Sequence, residues 1–151
     1  MSLEEDKRSK EAVGQFLERI PDMTKEEAEN ALWDILMSMQ GQTFYTSKGL
    51  EFSYQIKRRR NGTLGGELLV TRKENSKTIT KSSVFMAFWK ALQVQREMGY
   101  VKGPKALGGF GASYLYPIFL RLGLIQEAGY KNVSLYDLLD AEGSGEEKYG
   151  G

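Results

Sequence analysis

From Leu50 to Lys57 the chain alternates without a break: Leu50, Phe52, Tyr54 and Ile56 are apolar, while Glu51, Ser53, Gln55 and Lys57 are polar. Successive side chains of a strand point to opposite faces, so a period of two predicts a strand with one face in a core and the other in water. This run constrains the fold most, because the pattern on both sides of it is helical. Upstream, Val13, Phe16, Leu17 and Ile20 fall at i, i+3, i+4 and i+7 in a helix predicted from Lys7 to Ile20, and Pro21 stops it. Thr24 and Glu27 have capping-box spacing and open a second helix from Lys25 to Gln40, with a stripe of Leu32, Ile35, Leu36 and Met39 and Trp33 beside it. Gly41 marks its end. Downstream, a third helix is predicted from Ser82 or Ser83 as cap to Met98, with Gly99 as its stop. Val84, Phe85, Met86, Ala87, Phe88, Trp89, Ala91, Leu92 and Val94 surround most of its circumference, which suits a buried, central helix.

A strand with one wet face needs partner strands. Thr43 to Thr46 supplies a short one across a turn at Lys48-Gly49. On the other side Asn61-Gly62 is a hairpin signal and Glu67 to Thr71 reads as a third strand, and Lys77 to Thr80 extends the sheet. The connections are too short for crossovers, so the pairing is antiparallel. Ala112 to Leu122 predicts a further helix, in which Pro117 is tolerated near the first turn or at a kink. Ser134 caps a short last helix over Leu135 to Leu139. The expected class is α+β: an N-terminal helical hairpin, a small three-stranded antiparallel sheet packed on a buried central helix, and C-terminal helices. One domain is expected over 1–140, followed by a disordered acidic and Gly-rich tail over 141–151.

Two absences narrow the chemistry. The chain contains no cysteine, which excludes a disulfide framework, a thiolate nucleophile and sulfur ligation of a metal. It contains no histidine, which excludes a Ser-His-Asp triad, a Cys-His pair and an H-E-x-x-H zinc site. Catalysis would have to rest on carboxylates, Lys, Arg, Tyr or Ser, and no cofactor is expected. The start, MSLEEDKRSK, is acidic and polar rather than a secretory leader. No apolar run approaches the ~20 residues of a membrane span. A cytoplasmic location with no membrane partner is the expectation, and the absence of cysteine fits a reducing compartment.

The formal charge of +1 conceals a strong asymmetry. Residues 1–34 carry ten acids and five bases, residues 35–136 carry five acids and fifteen bases, and residues 137–151 carry five acids and one base. The middle is therefore basic by ten charges and both ends are acidic, a polarity that points to a polyanionic partner or to pairing of the middle with acidic segments.

Two constellations carry chemistry. The first is Lys57, Arg58, Arg59 and Arg60 before the Asn61-Gly62 turn, with Arg72, Lys73, Lys77 and Lys81 across the following strand and turn. A basic two-stranded ribbon can enter a major groove or track phosphates, and exposed aromatics such as Tyr45 can stack bases. The same residues also suit a solvated hairpin tip, where Lys and Arg keep an edge from aggregating. The second is the segment KGPKALGGFGASYLYP from Lys102 to Pro117. Gly103 and Gly108 have the spacing of a phosphate-binding P-loop, but Gly109-Phe110 stand where Lys and Ser or Thr belong. A dinucleotide-binding loop fails too, because the third glycine is missing and a helix rather than a strand precedes it. What survives is either a tight elbow or an anion seat formed by Lys102, Lys105, Gly109, Gly111 and Ser113. The triplet Gln55-Ile56-Lys57 resembles the tail of a metal-dependent nuclease pattern, which needs an acid on a neighbouring strand that the sequence does not supply. Non-enzymatic nucleic-acid binding, DNA or RNA, through a basic β-hairpin is the leading expectation. An interaction module with an acidic protein partner is the alternative, and a nuclease-like enzyme comes third.

Overall fold

The computed structural model describes residues 3–62 and 64–128, with side chains from residue 10 onward except at 64. The helix expected over 135–139 and the tail expected over 141–151 lie outside the described residues. Helix α1, Leu3–Arg19, and helix α2, Lys25–Ser38, are joined by a 3-10 turn at Ile20–Asp22. The capping box is complete: the Glu27 amide donates to Thr24 Oγ1 at 3.1 Å, and the Thr24 amide donates to Glu27 Oε1 at 3.0 Å. The helical stripe of α1 buries Val13 and Phe16, and that of α2 buries Ala28, Leu32, Trp33 and Leu36.

Four strands follow: β1, Phe44–Tyr45; β2, Glu51–Arg58; β3, Leu64–Arg72; and β4, Asn75–Thr80. They pair in sequence order and antiparallel throughout, in an α+β arrangement. The sheet has four strands rather than three, because Asn75–Thr80 pairs along its whole length with β3, from Glu67 opposite Thr80 to Arg72 opposite Asn75. From Glu51 onward the alternation in β2 sorts its faces as expected, with Phe52, Tyr54 and Ile56 buried and Glu51, Gln55 and Lys57 exposed, but Leu50, read with the inner set, precedes the strand and faces water. Across the register the inner face continues through Leu68, Val70 and Ile79.

β4 runs straight into helix α3, Lys81–Met98. Its cap is Thr80, whose Oγ1 accepts from the Ser83 amide at 3.2 Å, so the helix starts before Ser82 and Ser83 and Lys81 is its first residue. α3 buries Val84, Ala87, Phe88 and Ala91 and is the hub of the aromatic core, where Phe88 meets Phe16, Trp89 and Phe119. One side of it stays open, with Met86 71% exposed. Helix α4, Ala112–Leu122, packs against α3 and β1 and carries α1 on its flank. Pro117 sits in its second turn and removes one backbone donor. Six buried residues, Tyr114, Leu115, Tyr116, Ile118, Phe119 and Leu122, hold the helix together through that gap.

Buried hydroxyls fasten the layers. Tyr54 donates to the Leu36 carbonyl at 2.6 Å and ties β2 to α2. Tyr116 donates to the Val101 carbonyl at 2.7 Å and ties α4 to the segment after α3. The glycine-rich segment is an elbow: Gly111 takes φ +84°, and a Cβ there would lie 2.7 Å from Ile79 Cδ1 and 3.1 Å from Ile79 Cγ2. Only a bare Cα lets the start of α4 approach the inner face of β4 so closely.

Gly111→Val is expected to cost about 1–3 kcal/mol or more, from a strained φ and from the clash with Ile79, read as a lowered Tm in thermal unfolding. A variant that melts with the wild type would show that the elbow is not held by this contact. A second expectation concerns pH. Burial pushes the Tyr54 hydroxyl up from its ordinary value of 10.0. Tyr116 is also raised, by burial first and by the Glu127 charge second. A raised value in the folded state means that the associated stability is intact below the ordinary tyrosine range near 10 and declines as the pH climbs above it. Alkaline unfolding should therefore shift to higher pH in Tyr54→Phe relative to the rest of the curve, and the native protein should show fewer tyrosines ionising near pH ~10 in an ultraviolet titration than the unfolded chain.

Candidate functional site

The β2–β3 hairpin ends in a tip made of the first basic constellation. The Gly62 amide donates to the Arg59 carbonyl at 2.9 Å, closing the Asn61-Gly62 turn. Arg58 folds back so that its guanidinium donates to the Gly62 carbonyl at 2.8 Å. The register slips just below the tip: Ile56 faces Leu68, but Arg58 faces Leu64. The slip falls at Gly65-Gly66 in β3. A Cβ on Gly65 would stand 2.8 Å from the Lys57 carbonyl oxygen and 3.5 Å from Arg59 Cγ, so the missing side chain lets the β2 backbone and the Arg59 stem close over β3.

Lys57, Arg58, Arg59 and Arg60 are all exposed. Among the described residues one ion pair forms, Lys57 Nζ to Glu67 Oε1 at 3.7 Å across the strands. It is half in solvent, and such pairs contribute about 0–1 kcal/mol. Arg59 and Arg60 meet no acidic side chain among the described residues. Lys81 extends this end of the molecule: its stem would lie 3.5 Å from a Cβ on Gly66, and its ammonium sits 4.9 Å from the centre of the Trp33 ring.

Arg72, Lys73 and Lys77 belong to the opposite end. β3 spans nine residues from Leu64 to Arg72, so the Lys73-Glu74 turn stands roughly 26 Å from the tip at ~3.3 Å per residue. Instead of joining the tip, this second group joins the glycine-rich segment. Arg72 lies 5.7 Å over the Tyr114 ring, and Lys77 lies 5.4 Å over the Phe110 ring. The eight basic residues thus form two clusters, one at each end of the sheet.

Within the glycine-rich segment Lys102 and Lys105 are exposed, with Lys105 inside a 3-10 turn over Pro104–Ala106. Gly109 and Gly111 take positive φ. Ser113 is exposed, and the start of α4 has no side-chain cap. Phe110 escaped the sequence reading: it is 54% exposed and forms one wall of a groove of about 480 Å³ along the open side of α3. Its position between positive-φ glycines was the available signal, because a large apolar residue at such a corner is turned outward.

Gln55 and Lys57 are exposed on the outer side of β2, with Glu67 beside Lys57. Among the described residues no group of three carboxylates gathers with the spacing of a metal site, and no helix is long and apolar enough to cross a membrane. Comparison with known proteins gives no match to a family model, a curated protein or a solved structure.

Proposed function

We propose that this protein binds nucleic acid through the tip of the β2–β3 hairpin. The observation that carries this reading is the tip itself: four consecutive basic side chains, all exposed, of which Lys57 alone has an acidic partner among the described residues. Among the described residues Glu67 is the one carboxylate that pairs with this group. Here the positive charge is concentrated at a narrow protrusion, where a phosphate backbone can come within hydrogen-bond distance of several guanidinium groups at once. Arg58 is already oriented by its bond to the Gly62 carbonyl, which reduces the entropy lost on binding. Lys81, at the start of α3 beside Gly66, adds a further cation on the same end. Release of condensed counterions drives such contacts, so the affinity follows salt.

The alternative, an acidic protein surface as partner, draws on the same charges and lacks the requirement for a regular phosphate spacing. One titration separates the two. If about four phosphates are neutralised on duplex DNA, the log-log salt slope should be near −3.6, and raising salt from about 50 to about 200 mM should weaken binding on the order of 100-fold. Changing Arg58, Arg59 and Arg60 together to Glu should abolish binding and leave Tm nearly unchanged, because a solvated tip supports little of the core. Duplex DNA, single strands and RNA are tested in parallel by fluorescence anisotropy. No binding of any of them at low salt, or a triple variant that binds as the wild type does, would transfer the tip to the acidic-partner reading.

A further inference from the structure

A groove of about 480 Å³ beside α3 exposes apolar side chains. Its walls are Met86 and Trp89 from α3 and Leu107 and Phe110 from the glycine-rich segment, with Lys25 and Lys90 at its rim. Met86 and Phe110 are 71% and 54% exposed, two of the five large apolar side chains that face water among the described residues. Lys77 stands over the Phe110 ring and adds positive charge at the same edge. The Trp89 indole is held by a 2.7 Å bond to Glu29 Oε2, so its ring is a fixed wall.

We infer that this groove is the docking site of the chain's own segment 133–140, VSLYDLLD. The chemistry of the segment complements the groove. Leu135, Leu138 and Leu139 have the i, i+3, i+4 spacing of one apolar stripe, and Asp137 and Asp140 have the spacing of the opposite, solvent-facing side. An apolar stripe suits the Met86, Trp89 and Phe110 walls. From Asp137 to Gly151 the chain is net acidic by four charges, which strengthens the attraction.

The reach is also right. The last described turn is pinned near the end of α3, where the Gln126 amide donates to Gln95 Oε1 at 2.8 Å and the Val101 amide donates to the Gln126 carbonyl at 2.7 Å. From Val101 the chain itself travels to Leu107 in the groove wall in six residues, one turn of which is a contracted 3-10 helix. From Gln126 to Val133 there are seven residues, which span up to roughly 23–25 Å when extended. A tether that starts beside Val101 therefore covers the same ground with length to spare. The inference is independent of the nucleic-acid reading, since none of the groove's walls or rim belongs to the hairpin tip.

The absence of cysteine permits a direct test in the full chain. Met86→Cys with Leu138→Cys places one thiol in the groove and one on the segment. Tyr45→Cys with Leu138→Cys is the control, with the first thiol on the exposed Tyr45 of β1. Both host positions are largely exposed, so neither substitution threatens the core. Under mild oxidation the groove pair should close an intramolecular disulfide at least about ten-fold faster than the control, through its higher effective concentration. Adding Asp137→Lys and Asp140→Lys to the groove pair should slow closure several-fold, as should about 0.5 M salt in the unmodified pair. Adding Leu135→Asp and Leu139→Asp should slow it further. Equal rates for the groove and control pairs would overturn the inference. Disulfides that form only between chains would also overturn it, and would make the occupant a second copy.

Discussion

The bare Cα of Gly111 against Ile79 is the contact on which the rest of the arrangement depends. Ile79 is fully buried on the inner face of β4, and the elbow lets α4 start directly upon it. From that point Tyr114 turns in to meet Phe52, Tyr116 reaches back to the Val101 carbonyl, and Phe119 joins Phe88. The same corner throws Phe110 outward, so one backbone constraint both closes the core and opens the groove beside α3. At Gly111 this segment brings the start of α4 against the Ile79 side chain. Gly108, Gly109 and Gly111 take positive φ, and Lys102 and Lys105 remain in solvent.

The sheet also divides the positive charge. Its inner face is apolar from Phe52 to Ile79, its two open ends carry the hairpin turns, and the basic residues gather at those ends. At one end the Gly65-Gly66 slip bends the strands and draws Arg59 over β3, so that Lys57 to Arg60 project as one group with Lys81 near them. At the other, Arg72 and Lys77 spend their charge on the rings of Tyr114 and Phe110, contacts that are worth about 0.5–1 kcal/mol at exposed sites. Both clusters are partly engaged within the fold: in the first, Lys57 meets Glu67, Arg58 bonds the Gly62 carbonyl and Lys81 lies over Trp33, while Arg59 and Arg60 meet no acidic side chain among the described residues.

Much of this was legible from local pattern. The alternation in β2, the stripes of α1 and α2, the Thr24–Glu27 box and the Asn61-Gly62 turn each rest on one short-range rule, and each is where the rule puts it. The missed features rest on contacts between distant residues. The fourth strand has one buried residue, Ile79, and Asn75 to Lys77 are exposed, so local pattern adds only Lys77 to Thr80 to the sheet and leaves the start of the strand and its partner unmarked. Thr80 works as a cap because β4 ends there, a fact set by its partner Glu67. The pattern marks the third strand only over Glu67 to Thr71, whereas β3 starts at Leu64; Gly65 and Gly66 have no side chains to show a period, and they lie where the register slips. The separation of the basic residues into two ends follows from strand direction once four strands are counted.

The central claim is that the first cluster is the nucleic-acid contact and the second is not. The most direct measurement is a titration of the isotope-labelled protein with a short duplex, reading which backbone amides shift in its nuclear magnetic resonance spectrum. The account predicts that the amides of Lys57 to Gly62 and of Lys81 move together and saturate together, while those of Arg72 to Lys77 and of Lys102 to Ser113 stay in place. Shifts confined to Arg72–Lys77 and Lys102–Ser113, with a silent tip, would contradict it.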